Sequence, residues 1–171
     1  MVVGEMTEHT DVAVIGSGPA GYVAAIRAGQ LGKMVTLIEK EPAGLGGLCL
    51  HHGCIPSKAL IHTANVFWDC THSKEMGINV SMATLDMQKT QEFKRGVVEQ
   101  LTKGIEGLLS KAGVDVVYGK ATFVKSNTLH IVQEHDTMGL TADRIIIATG
   151  GKEMELPALP FDGKTILSST E

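Results

Sequence analysis

The sequence predicts an α/β fold, a parallel sheet with flanking helices and a small β-meander, and three observations lead there. Short runs dominated by apolar residues stand where buried strands are expected, at Asp11–Ile15, Val35–Glu39 and Arg144–Thr149. The first two are joined by an Ala-rich stretch long enough for a crossover helix, giving a strand–helix–strand unit. Past Val114, more short strand-like segments come after a long helical pattern.

In chain order, Met1–Thr10 has neither a basic segment nor an apolar one, and it carries Glu5 and Glu8. It is therefore read as a short leader and not as a signal for export. Asp11–Ile15 runs into Gly16-Ser17-Gly18-Pro19-Ala20-Gly21, and a helix is expected from about Pro19 to Leu31, stopped by Gly32. Pro42–Gly47 is Gly-rich and reads as a loop, with a helix over about Ser57–Asp69 and an irregular stretch over Thr71–Met82. Asp86 is placed to cap a long helix ending near Ala112. Phe93, Val97, Leu101, Ile105, Leu108 and Leu109 recur along it at helical spacing, and Gly113 suits the stop. Val114–Tyr118 is expected to extend the parallel sheet, and Ala121–Val124 and Thr128–Val132 to form the meander. Arg144–Thr149 is expected to be a buried strand closed by Gly150-Gly151. Glu153–Gly163 reads as a loop, and Thr165–Leu167 as the start of a new element.

Composition narrows the function classes. A net charge of −4 with no block of Lys or Arg argues against nucleic acid or an anionic membrane as the main partner. No apolar run approaches a membrane span. With no export signal, the cytoplasm is the default compartment. Three cysteines are too few for a disulfide scaffold there, so a pair that bonds is expected to be catalytic.

Gly16, Gly18 and Gly21 form G-x-G-x-x-G between a strand and a helix, the context that gives the pattern its meaning. The first glycine permits a tight turn, the second lets the backbone approach a pyrophosphate, and the third lets helix and strand pack closely. The helix start then offers unpaired N–H groups and a positive dipole end to phosphates. Glu39, at the end of the second strand, is placed to bind ribose hydroxyls and leaves no obvious seat for a 2′-phosphate. FAD or NAD is thus preferred over NADP, and the motif alone does not separate the first two.

Cys49 and Cys54 lie five residues apart, too far for a disulfide across a regular helix. Bridging them needs a distorted turn, for which Gly53 and Pro56 are suited. Pro56 also fits the first turn of the following helix, which puts Cys54 near a helix N-terminus, where a thiolate is stabilised. Two buried apolar cysteines, or half of a metal site, are the competing readings. The metal reading lacks a second ligand pair, so no metal is expected. Cys70 is expected to pack, and His51 and His52 to be surface or packing residues.

At Gly46-Gly47-Leu48-Cys49 and Gly53-Cys54-Ile55-Pro56-Ser57-Lys58-Ala59-Leu60 the chain closely resembles the flavoprotein disulfide reductase family, in particular its lipoamide branch. Ala148-Thr149-Gly150 matches the family's later Ala-Thr-Gly motif, and Ile166–Thr170 is similar to the family's continuation beyond that motif. The resemblance covers nearly the whole chain from Thr10 onward. It implies a Rossmann-like FAD-binding domain, with FAD on Gly16, Gly18, Pro19, Ala20 and Gly21. Glu39 would hold the adenosine ribose with Lys40 beside it. Gly47, Leu48 and Lys58 would lie along the flavin, and Ala121, Thr149 and Gly150 would line the adenosine and flavin side. Cys54 is implied as the sulfur facing the flavin in a charge-transfer pair, and Cys49 as the thiol that exchanges with substrate. The implied reaction runs from dihydrolipoamide to the cysteine pair, to FAD, and then to NAD+. The implied partners are the lipoyl domains of 2-oxo acid dehydrogenase complexes and a second copy of the full-length chain.

Leu48, His51 and His52 depart from the family's usual Thr, Asn and small apolar residue, in the loop where substrate contact and disulfide potential are set. A second G-x-G-x-x-G, the His-x-x-Pro-Thr-x-x-Glu segment that supplies the base, and the Gly-Asp motif for the ribityl chain are all missing. The expected organisation is therefore a leader over 1–9, an FAD-binding segment over 10–151, and a linker leading into a nicotinamide-binding domain over 152–171. The chain would be the N-terminal part of a longer reductase, holding FAD weakly and not turning over by itself. The alternatives are another disulfide-reductase branch, mercuric reductase-like or with an unknown thiol substrate, and a non-catalytic flavin-binding or redox-sensing module.

Overall fold

The structure is a computed structural model, and it describes residues 7–41 and 44–170. Most of the expected leader, Pro42 and Ala43 of the expected loop, and Glu171 lie outside the described residues.

Six strands form one sheet in the order β3-β2-β1-β6-β5-β4. β1 (Thr7–Ile15), β2 (Val35–Glu39) and β3 (Val114–Tyr118) run parallel, and β1 also pairs parallel with β6 (Thr137–Ile147). The meander is antiparallel, β4 (Lys120–Lys125) to β5 (Thr128–Val132) and β5 to the first part of β6. It thus shares a strand with the parallel sheet. The fold is the expected Rossmann-like arrangement, with α1 (Pro19–Gln30) as the right-length crossover between β1 and β2.

Alternation along the strands divides the core between the two faces of the sheet. Val14, Val35, Leu37 and Val114 point to one side, where they pack with Ala25 of α1, Leu50, and Ile105 and Leu109 of α4 (Met87–Lys111). Ala13 and Ile38 point to the other, against Leu129, Ile131, Leu140 and Ala142. At Gly119 the chain turns from β3 into β4, which passes back against β2, and the Gly119 N–H is held 2.8 Å from the Glu39 carbonyl.

Several boundaries differ from expectation for physical reasons. β1 starts at Thr7 and not Asp11, because residues 7–10 find partners on β6 from Gly139 onward. For the same reason β6 starts at Thr137, seven residues before the expected Arg144. Its last residues are not buried: Ile146 is 38% and Ile147 65% exposed. The apolar run marked a strand correctly, and β1 pairs with it as far as Ile147, but β5 leaves β6 after Thr141 and that edge is open. Along α4 only Ile105 and Leu109 of the apolar stripe reach the core, while Phe93, Leu101 and Leu108 stay exposed. Asp86 does cap α4, accepting from the Lys89 N–H at 3.1 Å. The expected element at Thr165–Leu167 is neither helix nor strand. The Asp162 carboxylate instead gathers the N–H groups of Lys164, Thr165 and Ile166 at 2.7–2.9 Å, which closes a turn and holds that carboxyl below its usual range.

Candidate active site

The carboxyl ends of β1, β2 and β6 converge where the sheet's connections reverse, between β1 and β6. Ligands of open α/β sheets sit at that point. Here the glycine turn, Glu39 and Ala148-Thr149-Gly150 come together.

Gly16 turns at φ 98°, and an ideal Cβ on it would stand 2.4 Å from the Ala148 carbonyl oxygen. Around Gly18 nothing lies within 4 Å of where a Cβ would be. Protein packing therefore does not require glycine there, and the open space leaves room for a ligand to approach the backbone. Gly18 is also the N-cap of α1, it makes no side-chain cap, and Pro19 is the first helical residue. The first turn of α1, whose N–H groups have no partner within the helix, thus begins beside the space that Gly18 leaves open. These features fit a dinucleotide pyrophosphate.

Glu39 is buried at the end of β2, 5% exposed. Its Oε1 accepts the Glu41 N–H at 2.8 Å, and its Oε2 accepts both the Ser17 N–H at 2.9 Å and the Ser17 hydroxyl. Ser17 is not singled out by the sequence, where it is the variable position inside G-x-G. The structure buries it completely between the two glycines. Lys40 is exposed and pairs with Glu41 at 3.2 Å. Ala121 lies on β4 against the second core cluster, half-buried. Thr149 and Gly150 are exposed after β6.

The cysteine segment forms two helices and not one. α2 (Gly47–His51) carries Cys49, the chain breaks at His52-Gly53, and α3 (Cys54–His72) begins on Cys54 itself, three residues before the expected Ser57. It also runs on to His72, three residues past the expected Asp69, and a 3-10 turn over Ser73–Met76 takes up part of the stretch expected to be irregular. The break supplies the distorted turn that the spacing demands and puts Cys54 in the first turn of a 19-residue helix. Gly47 presses α2 onto the glycine turn: an ideal Cβ there would fall 2.7 Å from Gly18 Cα. His51 is a packing residue, its Nε2 donating to the Leu45 carbonyl at 3.0 Å, and His52 is exposed. No group of three or more His, Cys, Asp or Glu that could hold a metal exists among the described residues.

All three cysteines stand as free thiols, with Cys54 exposed and Cys49 half-buried. The Cys49 thiol is raised above its ordinary range, first by its hydrogen bond with the Cys54 side chain, then by burial and by the charge of Cys54. The Cys54 backbone and the Lys58 ammonium pull the other way and do not offset this. At a given pH Cys49 therefore holds less thiolate than an ordinary cysteine. Replacing Cys54 by Ala, in a Cys70→Ser background, is expected to shift the titration of Cys49 to lower pH and to speed its alkylation near neutrality. Ultraviolet thiolate absorbance measured against pH checks this; an unmoved curve would show that Cys54 is not the cause.

The sequence profile of the pyridine nucleotide-disulphide oxidoreductases matches residues 10–170. The chain belongs to that family. Among curated relatives, the dihydrolipoyl dehydrogenase of Staphylococcus aureus is 48% identical over 170 residues, which is 99% of this chain and 36% of the relative. That of Bacillus subtilis (strain 168) is 49% identical with the same coverage. Among solved structures, the HOCl-induced flavoprotein disulfide reductase RclA from Escherichia coli superposes with a TM-score of 0.70 at 28% identity, over 86% of this chain and 29% of that one. Its Cu(II) complex gives 0.71 at 26% identity, over 88% of this chain and 30% of that one. The chain thus spans about a third of the length of the family members it matches, corresponding to the N-terminal part of the dihydrolipoyl dehydrogenases.

Proposed function

We propose that the chain is the FAD-binding, redox-disulfide part of a dihydrolipoyl dehydrogenase. One observation carries the reading: α2, with Cys49, is pressed against Gly18 of the dinucleotide turn, so one site combines a cysteine pair with a cofactor cradle. The identity to dihydrolipoyl dehydrogenases, maintained over 99% of the chain, supports the lipoamide branch.

In this reading the α1 start and Gly18 hold the pyrophosphate, Glu39 the adenosine ribose, and Lys58 the flavin edge, with Pro19, Ala20, Lys40, Gly47, Leu48, Ala121, Thr149 and Gly150 around them. Bound FAD supplies a two-electron acceptor that hands a hydride to NAD+. The chain's own residues carry out the thiol exchange. One thiolate of dihydrolipoamide attacks the Cys49 sulfur of the Cys49–Cys54 disulfide and releases Cys54 as thiolate. The second substrate thiolate then displaces Cys49, leaving oxidised lipoamide and two protein thiols. The full-length protein works in the cytoplasm as a homodimer, serving lipoyl domains of 2-oxo acid dehydrogenase complexes. Residues 152–171 lead from the FAD segment into a nicotinamide-binding domain.

FAD titrated into the purified chain is expected to bind weakly, and the loaded chain to show no NADH-dependent reduction of lipoamide. Robust turnover would refute the division of labour between this chain and the rest of the enzyme. Failure to bind flavin at any concentration would refute the cofactor reading.

A further inference from the structure

Ser17 is fully buried and has no part in the exchange chemistry, yet its polar atoms join the two halves of the site. Toward Glu39 it gives two hydrogen bonds, from its N–H at 2.9 Å and from its hydroxyl, both to Oε2. Toward the cysteine segment it receives the Gly46 N–H on its carbonyl at 3.1 Å and, more weakly, on Oγ at 3.3 Å. Gly46 is the N-cap of α2, three residues before Cys49. A continuous path of hydrogen bonds therefore runs from the Glu39 carboxylate through Ser17 to the start of the redox helix.

A carboxylate has roughly four lone-pair directions. Ser17 takes both on Oε2, and Glu41 N–H takes one on Oε1. The direction left for a ligand is on Oε1, and the three bonds hold the carboxylate in place. Were the hydroxyl absent, Oε2 would keep one donor in a buried setting and the carboxylate would lose its fixed orientation.

We infer that Ser17 is a positioning residue: its hydroxyl orients Glu39 for a ribose and links nucleotide occupancy to the order of the α2 segment that carries Cys49. The inference rests on the reading of Glu39 as the ribose acid. By linkage the coupling acts in both directions, so a nucleotide on Glu39 steadies Gly46, and a steadied Gly46 tightens nucleotide binding.

Adenosine diphosphate tests this, since it carries the ribose and pyrophosphate without the flavin. Its affinity is measured for the wild-type chain, Ser17→Ala, Glu39→Gln and the double variant. Amide exchange over residues 45–50 is measured with and without the nucleotide. Ser17→Ala is expected to bind roughly tenfold more weakly, the loss of one hydrogen bond to a charged group. It should add no further loss to Glu39→Gln, and the nucleotide should slow exchange at Gly46 in the wild type and less in Ser17→Ala, which keeps only the bonds made by the residue's backbone. Wild-type affinity in Ser17→Ala, independent losses in the double variant, or an undiminished exchange response each overturn the inference while leaving the ribose reading intact. No binding to the wild-type chain removes the ribose reading itself, and the inference with it. If Ser17→Ala fails to fold, Glu39→Gln alone must speed exchange at Gly46; an unchanged rate there overturns the link.

Discussion

Gly21→Ala is expected to lose about 3 kcal/mol of stability, the upper range for forcing atoms into a packed site. An ideal Cβ at Gly21 would stand 1.7 Å from the Gly16 carbonyl oxygen and 2.8 Å from its carbonyl carbon. Both obstacles are backbone, and Gly16 is itself fixed by its N–H bond to the Ile38 carbonyl at 2.8 Å. No side chain can swing aside, so α1 must lift off the β1 turn, and Ala25 and Tyr22 leave their packing on the core with it. Denaturant unfolding should show a lower midpoint with an unchanged slope. Gly18→Ala makes the contrast. With nothing within 4 Å and φ at −63°, it should cost less than about 1 kcal/mol, the scale of a changed helix cap. It should nevertheless abolish binding of a dinucleotide, because its methyl group fills the space the pyrophosphate needs. If instead Gly18→Ala unfolds the chain and Gly21→Ala only weakens binding, the two glycines have exchanged roles: Gly18 packs and Gly21 faces the ligand.

That contrast shows where the sequence was informative. G-x-G-x-x-G, the acid at Glu39 and the cysteine spacing each state a local geometric demand, and the fold meets all three. Elements decided by what packs against them were harder to read. Arg144–Thr149 has the composition of a buried strand, but burial depends on a neighbour, and β5 pairs with β6 only as far as Thr141. The α4 stripe has a helical period, but one face of a helix 25 residues long extends past the sheet that covers Ile105 and Leu109. Ser17 could not be found from pattern at all. Its position is an unspecified x in G-x-G-x-x-G, and its importance comes from Glu39 and Gly46, which lie 22 and 29 residues away and meet only in the folded chain.

The cysteine pair should show the largest functional effect. In a Cys70→Ser background, the reduced chain treated with a small aromatic disulfide should release two equivalents of aromatic thiol and end as the Cys49–Cys54 disulfide. One thiolate attacks the reagent and expels the first equivalent. The neighbouring sulfur then attacks the mixed disulfide and expels the second, so two electrons leave the pair and reduce one reagent molecule. The two cysteines stand on either side of the α2–α3 break, near enough for the Cys54 side chain to raise the Cys49 thiol. The second step is intramolecular and should outrun its bimolecular equivalent by on the order of hundredfold or more. Cys49→Ser and Cys54→Ser should each stop after one equivalent and retain the reagent as a stable adduct, visible as a mass increase. Their first-step rates should differ. Cys54 is exposed at the start of α3, whereas Cys49 is half-buried, so Cys49→Ser should react faster than Cys54→Ser. That order belongs to the chain by itself. A flavin lying over Cys54 would shield it and leave Cys49 as the sulfur open to substrate, which is the division of roles the family resemblance implies. If both single variants released two equivalents, the two sulfurs would not be acting as a pair, and the thiol exchange proposed for this site would fail.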